Sequence, residues 1–496
     1  MPHLSTSTLG DINSSVVVPS YYRTALTPGI AHFGVGGFHR AHQALVLDEL
    51  LGRGEASDWA IMGIGVRKED SRMRSILADQ DGLYTLIEKH ADGTRNARVI
   101  GSILGMLTVH DDGVDAVLDL LTAPTTRIVS LTVTEGGYNI NQSTGEFLLD
   151  TPAVAADLVP GAQPGTVFGL ITEALRLRRE AGTAPFTVMS CDNLQDNGRI
   201  ARRAILTYAE AKDPELAEWI SENTHFPNSM VDRITPVTTD EDRAEAQKIT
   251  GLTDDWPVVC EPFFQWVLEE SFGNGRPPYE STAVQLVDDV EPYELMKLRL
   301  LNASHQGLCY FGHLLGYRLA DQATSDPLIA DLLRRYMLEE GTPTLRPLPG
   351  IDVAAYREEL ISRFSNPEIR DTVARLCAES SDRIPKWLVP VIRERLDAGG
   401  SVTRSAAIVA SWARYATGID EQGEPIEIVD NLRDQVMAAA RNTDDPLAFV
   451  RDRELFGDLA ERAAFTEPYL HALEVLHTSG ARALLTELAD SANLAL

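Results

Sequence analysis

The sequence predicts an α/β, doubly wound sheet domain over residues 1–286 and a mainly α-helical domain over residues 287–496. Three observations predict this. Before residue 286, short apolar runs alternate with helical spacing, the pattern of βαβ units and a mainly parallel sheet. A glycine-rich turn links the first apolar run to a helix. After Asp288-Asp289 the strand signals stop and helical spacing continues.

In order along the chain, residues 29–34 (GIAHFG) read as a strand. Residues 38–51 read as a helix, with Ala41, Ala44, Leu45, Leu47 and Leu51 available for burial. The runs 59–66, 128–134 and 186–190 read as further buried strands, each ending in a polar loop. In the second half, helical spacing covers 290–317, 351–364, 384–396, 402–417 and 465–488. Asp288, Asp289, Glu291 and Pro292 suit the first turn of the earliest of these helices.

Composition narrows the function. The 496 residues carry 44 Lys+Arg against 73 Asp+Glu, a net charge of −29, which disfavours nucleic acid or an anionic membrane as partner. No run of about 18 apolar residues predicts a membrane helix, and the Ser- and Thr-rich start lacks the apolar core of a secretory signal. Cys191, Cys260, Cys309 and Cys377 lie far apart, so neither a disulfide framework nor a zinc site is expected and a cytoplasmic location is. Two large domains with an acidic surface are compatible with a monomer.

The glycine turn is Gly34-Val35-Gly36-Gly37-Phe38-His39. Its first glycine permits a tight turn, and its second lets main chain approach a pyrophosphate at a helix N-terminus. This is the Rossmann-type arrangement, except that His39 stands where a third glycine is usual; a plain strand-to-helix turn would also use glycines. The strand at 59–66 runs into Arg67-Lys68-Glu69-Asp70. Glu69 or Asp70 there could accept ribose hydroxyls and favour NAD, whereas Arg67, Lys68 and Arg72 would suit NADP. His39 and His42 lack further ligands at metal-site spacing, so with Arg40 they are expected at the cofactor, in the turn or on the surface, and no metal is expected.

In the second half, Lys297-Leu298-Arg299-Leu300-Leu301-Asn302-Ala303-Ser304-His305 stands out within an apolar helix. At about 100° per residue, His305 lies about 80° and Asn302 about 140° around from Lys297. Burial would favour a neutral lysine, which can act as a general base. An Asn amide can donate to a developing alkoxide. A merely wet helix face would carry similar residues. Three polar clusters fall where sheet loops should be: Thr134 to Tyr138 with Glu135 and Ser190 to Asn193, each after a predicted strand, and Asp232 to Pro236 further on. Ligands of open α/β sheets bind at such strand ends, which places Glu135 and Asn193 near a nicotinamide, while Asp192 reads as a turn or cap residue.

These residues resemble the polyol-specific long-chain dehydrogenases and reductases, the mannitol dehydrogenase family. The matching segments are GVGGFHRAHQA at 34–44, DGLYTLIEKH at 81–90, TVTEGGYN at 132–139, SCDNLQDNG at 190–198, VDRITP at 231–236, WPVVCEPFFQWV at 256–267 and KLRLLNASHQ at 297–306. Ala303 and Gln306 stand where the family often has Gly and Ser. The resemblance implies a metal-independent, NAD(P)-dependent oxidoreductase acting on a sugar alcohol or ketose; NAD is the expected cofactor, and D-mannitol and D-fructose are the expected pair. It implies Lys297 as general base, Asn193 and Asn302 around the reacting oxygen, His305 orienting substrate and Glu135 linking the site to solvent. It also implies Gly34, Gly36, Gly37, Phe38, His39, Arg40, Glu69 and Asp70 at the cofactor. Asp232, Arg375, Arg383 and Lys386 are the expected substrate contacts. Other family activities remain open: D-arabinitol 4-dehydrogenase, and fructuronate reductase, which would need an Arg clamp for its carboxylate. A catalytically silent NAD-binding regulator is the alternative of another class.

Overall fold

A computed structural model describes residues 1–141 and 145–493. The chain divides into two compact units, Met1–Glu291 and Pro292–Leu496. In the first unit the strands are β1 (Pro28–Phe33), β2 (Ala60–Gly65), β3 (Tyr84–Lys89), β4 (Arg95–Ile100), β5 (Ile103–Thr108), β6 (Ile128–Leu131), β7 (Thr187–Ser190), β8 (Ser229–Asp232), β9 (Val258–Cys260), β10 (Gln265–Glu269) and β11 (Val284–Val287).

Five of them form the central sheet, in the order β5-β2-β1-β6-β7, and every pair in it is parallel. Successive strand residues face opposite sides. Accordingly Ile30 joins one apolar cluster with Leu47, Leu50 and Ile61. Ala31 and Phe33 join another with Ile64, Val129, Leu131 and Phe168. Helices cover both faces, as a parallel sheet requires: Gln43–Gly52 supplies the first cluster, and Val167–Ala181 and Asn197–Lys212 supply the second.

Two features depart from the sequence reading. Two smaller sheets, β11-β10-β8 and β4-β3-β9, contain the antiparallel pairs β8–β10 and β3–β4. In β3 and β4 charged residues lie within the apolar pattern (YTLIEK, RNARVI), which hid these two from a search for apolar runs, and β9 is only three residues long. The helix expected over 38–51 is broken at His42 (φ −124°, ψ −92°) into Gly37–Ala41 and Gln43–Gly52.

The second unit has no strand among the described residues. Its helices Ala303–Leu314 and Thr403–Ala416 are buried along most of their length. Gly307 lets them approach, because a Cβ there would lie 3.1 Å from both Ile408 and Leu333. Three expected helices are interrupted. The 290–317 stretch is Glu291–Met296, then a π-helical Lys297–Asn302, then Ala303–Leu314. The 384–396 stretch divides at Leu388, just before Pro390. The 465–488 stretch divides at Ser479-Gly480, where Gly480 has φ +85°. Among the described residues no helix is long and apolar enough to cross a membrane.

Candidate active site

In the first unit the glycine turn sits where the connections from β1 and β6 diverge, the switch point at which open α/β sheets bind ligands. Gly34 has φ +94°, and a Cβ on it would lie 2.1 Å from the Thr132 carbonyl oxygen at the end of β6. Only glycine satisfies both conditions. The Gly36 N–H closes the turn on the Gly34 carbonyl at 2.7 Å. Gly36 then caps Gly37–Ala41. A Cβ on Gly36 would meet nothing nearer than 3.8 Å, so its main chain is open to the close approach of a phosphate. The residues present fit a dinucleotide.

His39 and Arg40 lie beneath this turn rather than on it. His39 is 1% exposed and stacks on His32 with ring centroids 3.4 Å apart. Burial pushes the His32 imidazole down to about 3. Burial likewise pushes His39 well below the usual histidine range, and His32, Arg40 and His42 push it further. The buried Arg40 guanidinium donates to Gly36 O at 3.3 Å and Trp256 O at 2.5 Å. Burial lowers it to about 10. Phe38 is half-buried and stacks on His42. After β2, Asp70 folds back to accept the Arg67 N–H at 2.9 Å and its guanidinium at 3.3 Å. Arg72 stacks on Trp256 at 4.4 Å. Glu69 is thereby the exposed acid of the pair.

The loops after β6 and β7 are held together by Asp192. Its carboxylate accepts the N–H groups of Val133 (3.1 Å) and Thr134 (2.8 Å) and the Tyr138 hydroxyl (2.8 Å). Thr134 has φ +65° and precedes the short 3₁₀ turn Glu135–Tyr138; the Glu135 side chain lies outside the described residues. Asn193 is exposed on the neighbouring loop. Asn197 ties that loop to β8, donating to Asp192 O (2.9 Å) and Ser229 O (2.7 Å) and accepting the Ser229 N–H (2.9 Å). Asp232 is buried at the end of β8. The next residue, Arg233, donates to Glu261 O (3.0 Å), Ala41 O (2.8 Å) and Glu88 (2.6 Å). Asp192, Asn197 and Arg233 were visible within SCDNLQDNG and VDRITP, but their role in shaping loops depends on partners up to 192 residues away.

In the second unit Lys297 and Asn302 are 8% and 5% exposed. They begin and end the π turn, and the Ala303 N–H bonds to Leu298 O, five residues back. With i→i+5 bonds each turn holds more residues than an α-helical turn, so residues five apart lie closer around the axis. Lys297 and Asn302 therefore come onto one side, closer than the α-helical spacing predicted. His305 follows on Ala303–Leu314, half-buried, its ring 4.6 Å from that of Phe364. The other expected contacts are engaged locally. Arg375 is paired with Asp371 at 2.5 and 2.7 Å, Arg383 donates to Arg375 O and Leu376 O, and Lys386 pairs with Asp382 at 2.6 Å. Among the described residues no group of three or more His, Cys, Asp or Glu could hold a metal ion.

A dinucleotide-type α/β unit followed by a helical unit with a buried lysine defines the class. Residues 28–281 match the mannitol dehydrogenase Rossmann domain, and residues 289–477 match the mannitol dehydrogenase C-terminal domain. The chain belongs to the mannitol dehydrogenase family. It is 46% identical to mannitol 2-dehydrogenase of Cereibacter sphaeroides, with 95% of this chain and 98% of that protein covered. It is 45% identical to mannitol 2-dehydrogenase of Phaeosphaeria nodorum, with 96% and 84% covered. Among solved structures it is similar to Pseudomonas fluorescens mannitol 2-dehydrogenase in ternary complex with NAD and D-mannitol: TM-score 0.86, 43% identity, 98% and 99% covered. It is also similar to a D-sorbitol dehydrogenase in substrate-free form: TM-score 0.91, 39% identity, 97% and 100% covered.

Proposed function

We propose that this chain is an NAD-dependent polyol dehydrogenase that interconverts D-mannitol and D-fructose, with Lys297 as general base and no metal. The observation that carries the reading is that buried Lys297 and Asn302 lie on one π turn. The NAD and D-mannitol held by the Pseudomonas fluorescens relative support the choice of cofactor and substrate.

Bound NAD supplies the acceptor for the hydride lost from C2 of the polyol. The uncharged Lys297 amine takes the C2 hydroxyl proton as that hydride leaves. The amides of Asn302 and Asn193 donate to the oxygen while it carries alkoxide charge, each contributing about 10²–10³-fold. His305, braced by Phe364, orients the substrate near the lysine. Glu135 passes the proton to solvent. Asp232 accepts from more distant hydroxyls, and Arg375, Arg383 and Lys386 complete the substrate contacts. The glycine turn and Glu69 hold the dinucleotide.

A second reading, D-sorbitol as preferred substrate, is favoured by the likeness to the D-sorbitol dehydrogenase. Steady-state kinetics with NAD or NADP and D-mannitol, D-sorbitol or D-arabinitol, and with NADH and fructose or fructuronate, separate the readings. The highest kcat/KM is expected for D-mannitol with NAD. A preference for another polyol, or for fructuronate, would overturn the substrate assignment.

A further inference from the structure

We propose that Tyr336 is a positioning residue for the reaction, its hydroxyl fixing through the Arg299 carbonyl the π turn that carries Lys297 and Asn302. The inference rests on the reading of Lys297 as base. π turns are uncommon and concentrate at functional sites, because inserting one residue re-aims the side chains around it. The insertion also disturbs the regular ladder, and a buried main-chain carbonyl displaced from it needs another donor.

The Tyr336 hydroxyl donates to Arg299 O at 2.9 Å, within the π turn and inside the unit. Burial, reinforced by Glu340 and opposed by Arg299, keeps the phenol well above its usual range, so it retains its proton and stays a donor.

Tyr336 itself begins a second π-helical segment, Tyr336–Gly341. That segment is anchored in turn. The buried Glu340 carboxylate accepts the N–H groups of Arg404 (2.7 Å) and Ser405 (2.8 Å), and the Ser405 hydroxyl, at the start of Thr403–Ala416. At its other end, a Cβ on Gly341 would lie 2.8 Å from Leu300 Cδ2, so the two segments approach closely. The Arg299 guanidinium adds side-chain ties to Thr344 O (2.6 Å) and Glu394 (2.7 Å). Tyr336 differs from these ties in gripping main chain between Lys297 and Asn302.

The test is Tyr336→Phe, which keeps the ring and removes the donor. Two quantities are read: steady-state kinetics with NAD and D-mannitol, and amide hydrogen exchange at residues 301–303. The expected result is kcat lowered by about 10–100-fold, the effect of a small misplacement of reacting groups. KM for NAD should be unchanged and exchange at 301–303 faster. A merely structural tyrosine would lower the melting temperature but leave kcat per folded molecule unchanged, and that result overturns the proposal. Should Tyr336→Phe fail to fold, Tyr336→Met, which also removes the donor while a flexible apolar side chain fills the space, takes its place: lowered kcat with faster exchange supports the proposal, and unchanged kcat overturns it. Lys297→Ala run in parallel separates the two readings. If it is inactive while Tyr336→Phe has wild-type kcat, the positioning role fails and the base assignment stands. If Lys297→Ala keeps turnover, the base assignment fails, and unchanged exchange at 301–303 in Tyr336→Phe overturns the hold on its own.

Discussion

A single residue can organise two loops. Asp192 collects two main-chain N–H groups and a tyrosine hydroxyl, although burial alone pushes its carboxyl above the usual range. Asp192→Ala leaves those donors unpaired and should cost about 1–3 kcal/mol in denaturant unfolding. Asn302→Ala acts differently. It should lower kcat by about 10²–10³ with NADH affinity intact, since its amide is needed when the oxygen is charged. At this scale the residue types of the candidate site were legible in the sequence, because Lys, Asn and His inside a Leu-rich helix are conspicuous. The loop-shaping Asp192, Asn197 and Arg233 were not. A buried carboxylate or amide reads as an ordinary turn residue until its distant partners are known.

At the scale of elements, the glycine turn rests on a buried histidine pair. Both imidazoles are held neutral by burial. In the unfolded chain each titrates near its ordinary value, so below about pH 6.5 the unfolded state binds more protons than the folded one. Stability contributed by the neutral pair is thus present above about pH 6.5 and lost as pH falls from there toward the folded value, about 3 for His32. The slope should approach about 1.4 kcal/mol per pH unit for each histidine. Urea unfolding from pH 7 to pH 5 should show it, and His39→Asn should flatten it. Because the folded pair stays neutral over that interval, it should leave NADH affinity unchanged there. Element boundaries followed the sequence where apolar periodicity was clean, as in β1, β2 and β7, whereas the run 128–134 forms a strand only over Ile128–Leu131. They failed at the π turn, where geometry changes without a marker residue, and also at the breaks beside Pro390 and Gly480, where a marker was present. Nothing in KLRLLN specifies i→i+5 bonds, and the partners of that turn, Tyr336 and Gly341, lie more than 30 residues further along the chain.

For the whole molecule, the matched family models cover most of the chain, and the two-part organisation was readable from the loss of strand signals near residue 286. Cofactor choice was less so, because Arg67, Lys68, Glu69, Asp70 and Arg72 mix both signs. The structure commits Arg67 to Asp70 and Arg72 to Trp256, leaving Glu69 outward. Glu69→Ala should therefore raise kcat/KM for NADP by about tenfold, the size of one repulsive contact of about 1.4 kcal/mol. An unchanged NAD:NADP ratio would remove Glu69 from cofactor selection.

The central claim is that a buried amine accepts the hydroxyl proton, and the most direct test is the pH–rate profile of Lys297→Ala with D-mannitol and NAD. The variant should bind NADH as the parent does, yet lose about 10²–10⁴-fold in kcat, together with the rise in rate that accompanies deprotonation of the base. Turnover near that of the parent, with the same pH profile, would contradict the account.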